Sequence, residues 1–367
     1  LPTSPPGAQR TQSDAPKTGG RAALGSFGRY LRLRYTKNIS RRARHLHDND
    51  VVALSERKTD EAVSRGFRLF LKSAGLSSYR LPTRFGLMHC YDSAPDSQEK
   101  PIVFLHGIGS SGQCFSWLAL MLKDKRRVVC PDLFHFCGFS EPNNPVMDLS
   151  AHVDSVREFL DALGVGPVDF VGLSLGGWIG MKLAAGSPER ISTLTLLNPA
   201  GLRLRPYALR DTITHLSWKK FVVLYPGLLR AFPYTGVPLV SAVLRRSLYR
   251  VLRDDAVRDF VKTVHTPDFV DELLGDIKAR TLLLWGREDR LISEGAPVTL
   301  ASGIPSCEAF YVERCAHILC LEAPLNVYDS LCRFLALEGT PENRFTSLLR
   351  KTAAVFPQHP ISKDGTV

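Results

Sequence analysis

From Tyr79 onward, short apolar runs alternate with longer amphipathic ones. Ile102–Leu105, Val128–Cys130, Val168–Val171, Leu194–Leu197, Thr281–Trp285 and Ala309–Val312 are nearly unbroken apolar stretches of strand length. Such runs suit strands buried on both faces. Tyr79–Arg84 and Leu87–Tyr91 predict an opening hairpin turned at Gly86. Between the runs the period changes. Leu149, Val153, Val156, Leu160 and Leu163 step by four and three residues, which places them on one face of a helix. Gly177–Ala185 is also compatible with a helix. Upstream, residues 60–76 predict a short amphipathic helix with Val63, Phe67, Phe70 and Leu71 on one side. Strand–helix alternation over this length argues for an α/β protein with a mostly parallel sheet.

Residues 201–279 interrupt the rhythm. Phe221–Leu244 is uncharged except for Arg230, and Pro226, Gly227, Pro233, Gly236 and Pro238 prevent one regular helix. This stretch reads as an apolar insertion between two strands. No internal repeat is visible, and no apolar run reaches the roughly 18 residues of a conventional membrane-spanning helix.

Composition adds one asymmetry. The 367 residues are 44% hydrophobic and 23% charged, ordinary globular values that exclude global disorder, a collagen-like repeat or a disulfide miniprotein. The formal net charge is +11. Residues 1–47 carry ten basic residues against the single acid Asp14, a balance of +9, and the other 320 residues carry only +2. Residues 1–20 are rich in Pro, Ser, Thr and Gly and read as flexible. Residues 21–47 interleave arginines with Phe27, Tyr30, Leu31, Leu33 and Tyr35. This segment reads as the remainder of an Arg-rich, acid-poor organelle-targeting region, as an arm for an anionic surface or protein assembly, or as a solvated tail. The cysteines point to an intracellular, reducing location, and the basic segment to the mitochondrion or another organelle. The start at Leu1 suits a processed or partial chain. No nucleic-acid-binding module is recognisable. The eight cysteines form no C-x-x-C pair, which suits buried reduced thiols, and His45 and His47 lack ligand-spaced partners. Neither a metal nor a cofactor is expected.

The chemistry concentrates where the apolar runs end. Gly172-Leu173-Ser174-Leu175-Gly176 follows Val168–Val171 and precedes a helical stretch, giving G-x-S-x-G in strand–turn–helix context. A serine on so sharp a turn tolerates no bulk two residues to either side, and the helix after it favours developing negative charge. His106-Gly107-Ile108-Gly109 follows Ile102–Leu105, and a Gly-rich turn there can aim backbone N–H groups at an oxyanion. Glu288 and Asp289 follow Thr281–Trp285, and His317 comes soon after Ala309–Val312. Residues just past strand C-termini converge on one crevice of a parallel sheet, so a serine, an acid and a histidine meet there.

These motifs together resemble an α/β-hydrolase-fold serine hydrolase over roughly residues 79–337, and within it the monoacylglycerol lipase-like and meta-cleavage-product hydrolase-like branch. The matching segments are LHGIGSSG (105–112), GLSLGG (172–177), LLNPAG (196–201), WGREDRLIS (285–293) and AHILCLEAP (316–324). The resemblance implies a central sheet flanked by helices with a helical cap. It divides the chain into a basic extension (1–78), core halves (79–200 and 280–337), a cap or lid (201–279) and a C-terminal tail (338–367). It implies Ser174 as nucleophile, His317 as base and Asp289 as the acid, favoured over Glu288. Ile108 and Leu175 would supply oxyanion N–H groups, with His106, Gly107, Gly172 and Gly176 supporting loop and elbow. Glu322 matches a position that seats the next helix. The chain departs from the family in one loop. Where the family has Asp-x-Pro-Gly-x-Gly-x-Ser, this chain has Asp132-Leu133-Phe134-His135-Phe136-Cys137-Gly138-Phe139-Ser140, one residue longer. That loop borders the acyl pocket in the family, so substrate size is affected, and His135 is either a pocket residue or a partly exposed loop histidine.

The implied activity is carboxylic ester hydrolysis on a lipid or acylglycerol-type substrate through an acyl-enzyme. Carbon–carbon hydrolysis of the meta-cleavage type uses the same triad, and a hydrolase-fold structural subunit of a large organellar assembly is the rival from another class. The apolar Phe221–Leu244 stretch either roofs the site or also touches a membrane surface.

Overall fold

A computed structural model describes residues 65–203, 255–289 and 291–363. The basic segment, the start of the amphipathic helix and Phe221–Leu244 lie outside the described residues. The chain divides into two compact units, Leu1–Phe67 and Arg68–Val367, and the sheet and the site belong to the second.

Ten strands form one sheet among the described residues. A hairpin of β1 (Ser77–Thr83) and β2 (Gly86–Asp92) leads in, with Thr83 paired to Gly86 around the two-residue turn Arg84–Phe85. Next come β3 (Ile102–Leu105), β4 (Val128–Pro131), the two-residue β5 (Glu141–Pro142), β6 (Val168–Leu173), β7 (Ile191–Leu197), β8 (Arg280–Gly286), β9 (Cys307–Val312) and β10 (Gln358–Pro360). Their spatial order is β1-β2-β4-β3-β6-β7-β8-β9-β10, with β5 on β2. Strands β4, β3, β6, β7, β8 and β9 run parallel, while the edges are antiparallel, so the sheet is mixed. The inner strands are those read from continuous apolar runs, and Ile102, Val103, Phe104 and Leu105 are all fully buried.

The order reverses between β3, whose chain continues toward β4 on one side, and β6 on its other side. Such a switch point opens a crevice at the strands' C-terminal ends. The turns after β3 and β6 therefore face each other, with those after β8 and β9 further along the same edge.

The principal helices are 65–73 (α1), Ser116–Leu122 (α2), Leu149–Ala162 (α3), Leu175–Gly186 (α4), Asp255–Thr263 (α5), Ala296–Gly303 (α6), Leu319–Glu322 (α7), Pro324–Phe334 (α8) and Arg344–Arg350 (α9). In α1, Leu71 is buried and Phe70 is half exposed, so the expected apolar face is narrower. Helix α3 differs instructively from its expected stripe. Leu149, Val156 and Leu160 are buried as expected, but His152, Ser155 and Phe159 join them while Val153 is only partly buried. The face has turned because His152 stacks on Phe136 (5.6 Å, 11°) and meets Phe260 edge-on (5.4 Å). Aromatic partners across the helix outweigh the aliphatic stripe.

The chain returns from the insertion through α5. Trp178 of α4 stacks on Phe269 (5.4 Å) and donates its indole N–H to the Asp268 carbonyl (2.9 Å), which fixes that return on the sheet. Residues 338–363, within the stretch expected as a tail, carry α9 and β10. Asn343 caps α9 by accepting from the Thr346 N–H (2.9 Å), and β10 extends the sheet on β9. Six cysteines are buried, Cys114 is intermediate and Cys137 is exposed, and none is joined in a disulfide.

Candidate active site

Ser174 occupies the turn between β6 and α4. Its backbone has φ 53° and ψ −115°, a region that residues with a Cβ rarely enter. Strain of this kind costs of order 1–3 kcal/mol and persists where the surroundings over-determine it. The surroundings here are explicit. The Ser174 N–H donates to the Leu197 carbonyl (3.0 Å), and its own carbonyl accepts from Trp178 (3.0 Å) and Ala200 (3.1 Å). The turn closes only because two neighbours lack side chains. A Cβ on Gly176 would lie 2.1 Å from the Leu105 carbonyl oxygen, and one on Gly172 would lie 2.4 Å from the Gly176 oxygen.

The turn after β3 packs directly on the serine. A Cβ on Gly107 would stand 3.1 Å from the Ser174 Cβ and 3.6 Å from its Oγ. Ile108 comes next in this loop, and Leu175 opens α4, so the Leu175 N–H belongs to the turn where a helix supplies no acceptor of its own. His106 is a brace. Its Nε2 accepts from the Leu133 N–H (2.9 Å), which leaves Nδ1 to carry the proton donated to the Gly107 carbonyl (2.8 Å). Complete burial lowers its pKa, with the nearby Asp132 charge opposing.

On the same sheet edge, His317 Nδ1 lies 2.7 Å from Asp289 Oδ2. The other Asp289 oxygen accepts from the N–H groups of Leu291 (2.8 Å) and Ile292 (3.4 Å), so the carboxylate is held at both ends. Ser174, Asp289 and His317 are all buried, 5%, 3% and 8% exposed. Burial pulls the His317 pKa down, and the Asp289 charge and hydrogen bond more than reverse this, leaving it above its ordinary value. It is Asp289, not Glu288, that faces the histidine; Glu288 is only partly buried.

Two carboxylates do more than the sequence suggests. Glu322, expected to seat a helix, accepts from Ala316 N–H and Ile318 N–H (2.8 Å each), gripping the backbone on either side of His317. Burial pushes its carboxyl up from 4.5 to about 7, with the two N–H donors opposing. Between those values the folded protein holds a proton that the unfolded chain has released, so this group's contribution to stability falls as pH rises through that window. Thermal unfolding from about pH 4.5 to about pH 7 is expected to show a wild-type minus Glu322→Gln Tm difference that declines with pH. A difference independent of pH would refute this linkage.

The second is Asp132, completely buried at the head of the loop that departs from the family pattern. It accepts from Gly112 N–H (2.6 Å), Phe139 N–H (2.9 Å) and His89 Nδ1 (2.7 Å), while His89 Nε2 lies 2.7 Å from Ser78 Oγ. It thereby ties the loop after β4 to the far end of the loop after β3. Cys137, in the same lengthened loop, adds an N–H bond to the Ser110 carbonyl (3.1 Å). No spacing rule announces these braces, because their partners lie on four separate segments. Phe134 is fully buried in the core. His135, at φ 64°, lines a cleft with Phe136, Val146, His152 and Phe260. Burial, with His135 and His106 adding to it, pushes His152 down to about 3. Among the described residues no cluster of three His, Cys, Asp or Glu is placed to hold a metal, and no helix is long and apolar enough to cross a membrane.

Comparison with known proteins adds sequence relatives to this geometry. Residues 100–324 match a family described as alpha/beta hydrolase fold. A Xenopus laevis monoacylglycerol lipase, abhd6-B, is 23% identical over 281 residues, covering 69% of this chain and 81% of the relative. A Pseudomonas putida 2-hydroxymuconate semialdehyde hydrolase is 30% identical over 229 residues, covering 59% of this chain and 80% of that one. Among solved structures, a membrane phospholipase A described as a bacterial virulence factor aligns with TM-score 0.65 at 23% identity, covering 79% of this chain and 96% of its own.

Proposed function

This chain belongs to the alpha/beta hydrolase fold family, and we propose that within it the protein is a serine hydrolase of carboxylic esters, acting on lipid or acylglycerol-type substrates. The observation that carries this reading is Ser174 in a strained strand-to-helix turn on the sheet edge that also holds the hydrogen-bonded His317–Asp289 pair. In the proposed mechanism Ser174 Oγ attacks the ester carbonyl as His317 takes its proton, and Asp289 holds the imidazole in the tautomer that accepts at Nε2. The N–H groups of Ile108 and Leu175 stabilise the tetrahedral oxyanion. His317 then delivers the proton to the leaving alcohol, and water hydrolyses the acyl-enzyme.

Lipid esters are favoured as substrates by the monoacylglycerol lipase relatives. The meta-cleavage relatives keep carbon–carbon hydrolysis as the second reading. Assay of an acyl-ester series of increasing chain length beside a vinylogous diketone separates them. Turnover is expected on the esters, with a chain-length optimum. Turnover of the diketone alone would establish the second reading. Activity on neither, with stable co-purification in a large complex, would instead favour a scaffold role.

A further inference from the structure

We infer that Asn198 is a positioning residue that holds the His317–Asp289 pair in register with the nucleophile's strand, joining the acid's turn and the histidine's turn through one side-chain amide. The inference rests on the serine-hydrolase reading. Asn198 belongs to the LLNPAG segment, a motif to which no chemical role attaches in the sequence alone.

Asn198 directly follows β7, the strand between β6, which ends at the nucleophile, and β8, which ends at the acid. Its side chain is fully buried. Nδ2 donates to the carbonyls of Ala316 (2.8 Å) and His317 (2.8 Å), and Oδ1 accepts from the Gly286 N–H (2.8 Å). The amide's orientation is settled by these partners. Two carbonyls need donors and one N–H needs an acceptor, and only this orientation pairs all three.

The partners belong to the reacting groups' own turns. The Gly286 carbonyl accepts from the Asp289 N–H (3.0 Å), closing the turn that presents the acid. That turn and the histidine's touch, since a Cβ on Gly286 would lie 2.1 Å from the Ala316 carbonyl oxygen. Glu322 takes the N–H groups of Ala316 and Ile318. Asn198 takes the carbonyls of Ala316 and His317. The backbone around His317 is thus held by its donors from one side and by its acceptors from the other, which leaves the imidazole as the part that moves protons.

The residue type is set by two demands. The backbone at position 198 has φ 41°, which asparagine tolerates better than most residues. The site also needs two donors and an acceptor in one plane. Aspartate offers acceptors only, serine a single hydroxyl, and alanine nothing. Partners left unpaired in so buried a place cost their desolvation without return.

The experiment uses the full chain with Asn198→Ala, Asn198→Asp and Asn198→Ser. It reads kcat and KM on a soluble ester, the rate of labelling by a fluorophosphonate, the pH profile of kcat/KM and the Tm. The alanine variant is expected to lose about 10- to 100-fold in kcat with little change in KM, as a small misplacement of reacting groups does. The acid limb of its profile should move to lower pH, because a loosened Asp289 contact supports the charge on His317 less. The aspartate variant keeps the Gly286 contact but turns an acceptor toward both carbonyls, so it should lower the Tm and show at least the same loss in kcat. Serine, with one donor restored, should fall between alanine and wild type. A wild-type kcat and acid limb in any folded variant overturn the inference, as does a lower Tm with unchanged rates. A wild type that fails to react with the fluorophosphonate refutes the serine-hydrolase reading itself, a result distinguishable from equal labelling of wild type and variants.

Discussion

Replacing Ser174 with alanine is expected to lower ester turnover by about 10⁴-fold or more and to abolish covalent labelling by a fluorophosphonate. The size reflects what the side chain does in the proposed mechanism. With Oγ gone there is no acyl-enzyme, and only binding and the oxyanion donors remain to assist attack by water. Stability should change little. Alanine keeps the Cβ, and the backbone bonds that hold the turn do not involve the hydroxyl. The comparison is therefore made between two folded proteins of matched Tm. Labelling or turnover that survives at the wild-type rate would remove Ser174 from the chemistry.

Asp289→Asn should be nearly as severe, about 10⁴-fold in kcat, for a different reason. The carboxylate now accepts at 2.7 Å from His317 Nδ1. An amide in its place can donate to that nitrogen, which moves the imidazole proton to Nε2 and leaves nothing to accept the serine's proton. The Asp289 charge that raises the His317 pKa is lost as well. The acidic limb of any residual activity should consequently lie at lower pH than in wild type. Glu288→Gln, one residue away, should retain near-wild-type turnover, because Asp289 already occupies the position facing the histidine. Equal losses in the two variants would show that the acid has been misassigned.

The inner strands are legible in the sequence because burial on both faces leaves a continuous apolar signature, as in Ile102–Leu105. The helix face of α3 is only partly legible. Periodicity ranks aliphatic positions and gives no weight to His152, which is buried by rings on two other segments. The short strands β5 and β10 escape notice, since two or three exposed or half-exposed residues carry no pattern. In the candidate site, Ser174, Asp289 and His317 declare themselves by their place after strands. The supporting roles of Asp132, Glu322 and Asn198 are not legible there, even though Asp132 and Asn198 also follow strands, because they work mostly through bonds to backbone atoms, which have no sequence.

The sheet's inner strands, the elbow that only glycine neighbours permit, and the chain order of Ser174, Asp289 and His317 are all legible in the sequence alone. Those properties are local: they depend on runs of apolar residues and on side-chain bulk a few positions away. Only the tertiary structure decided that Asp289 rather than Glu288 meets His317. It alone placed Phe134 in the core and His135 in a cleft, and it alone showed one buried amide spanning the turns of two distant strands. Those outcomes are set by hydrogen-bond geometry between segments that approach one another only once the sheet has formed.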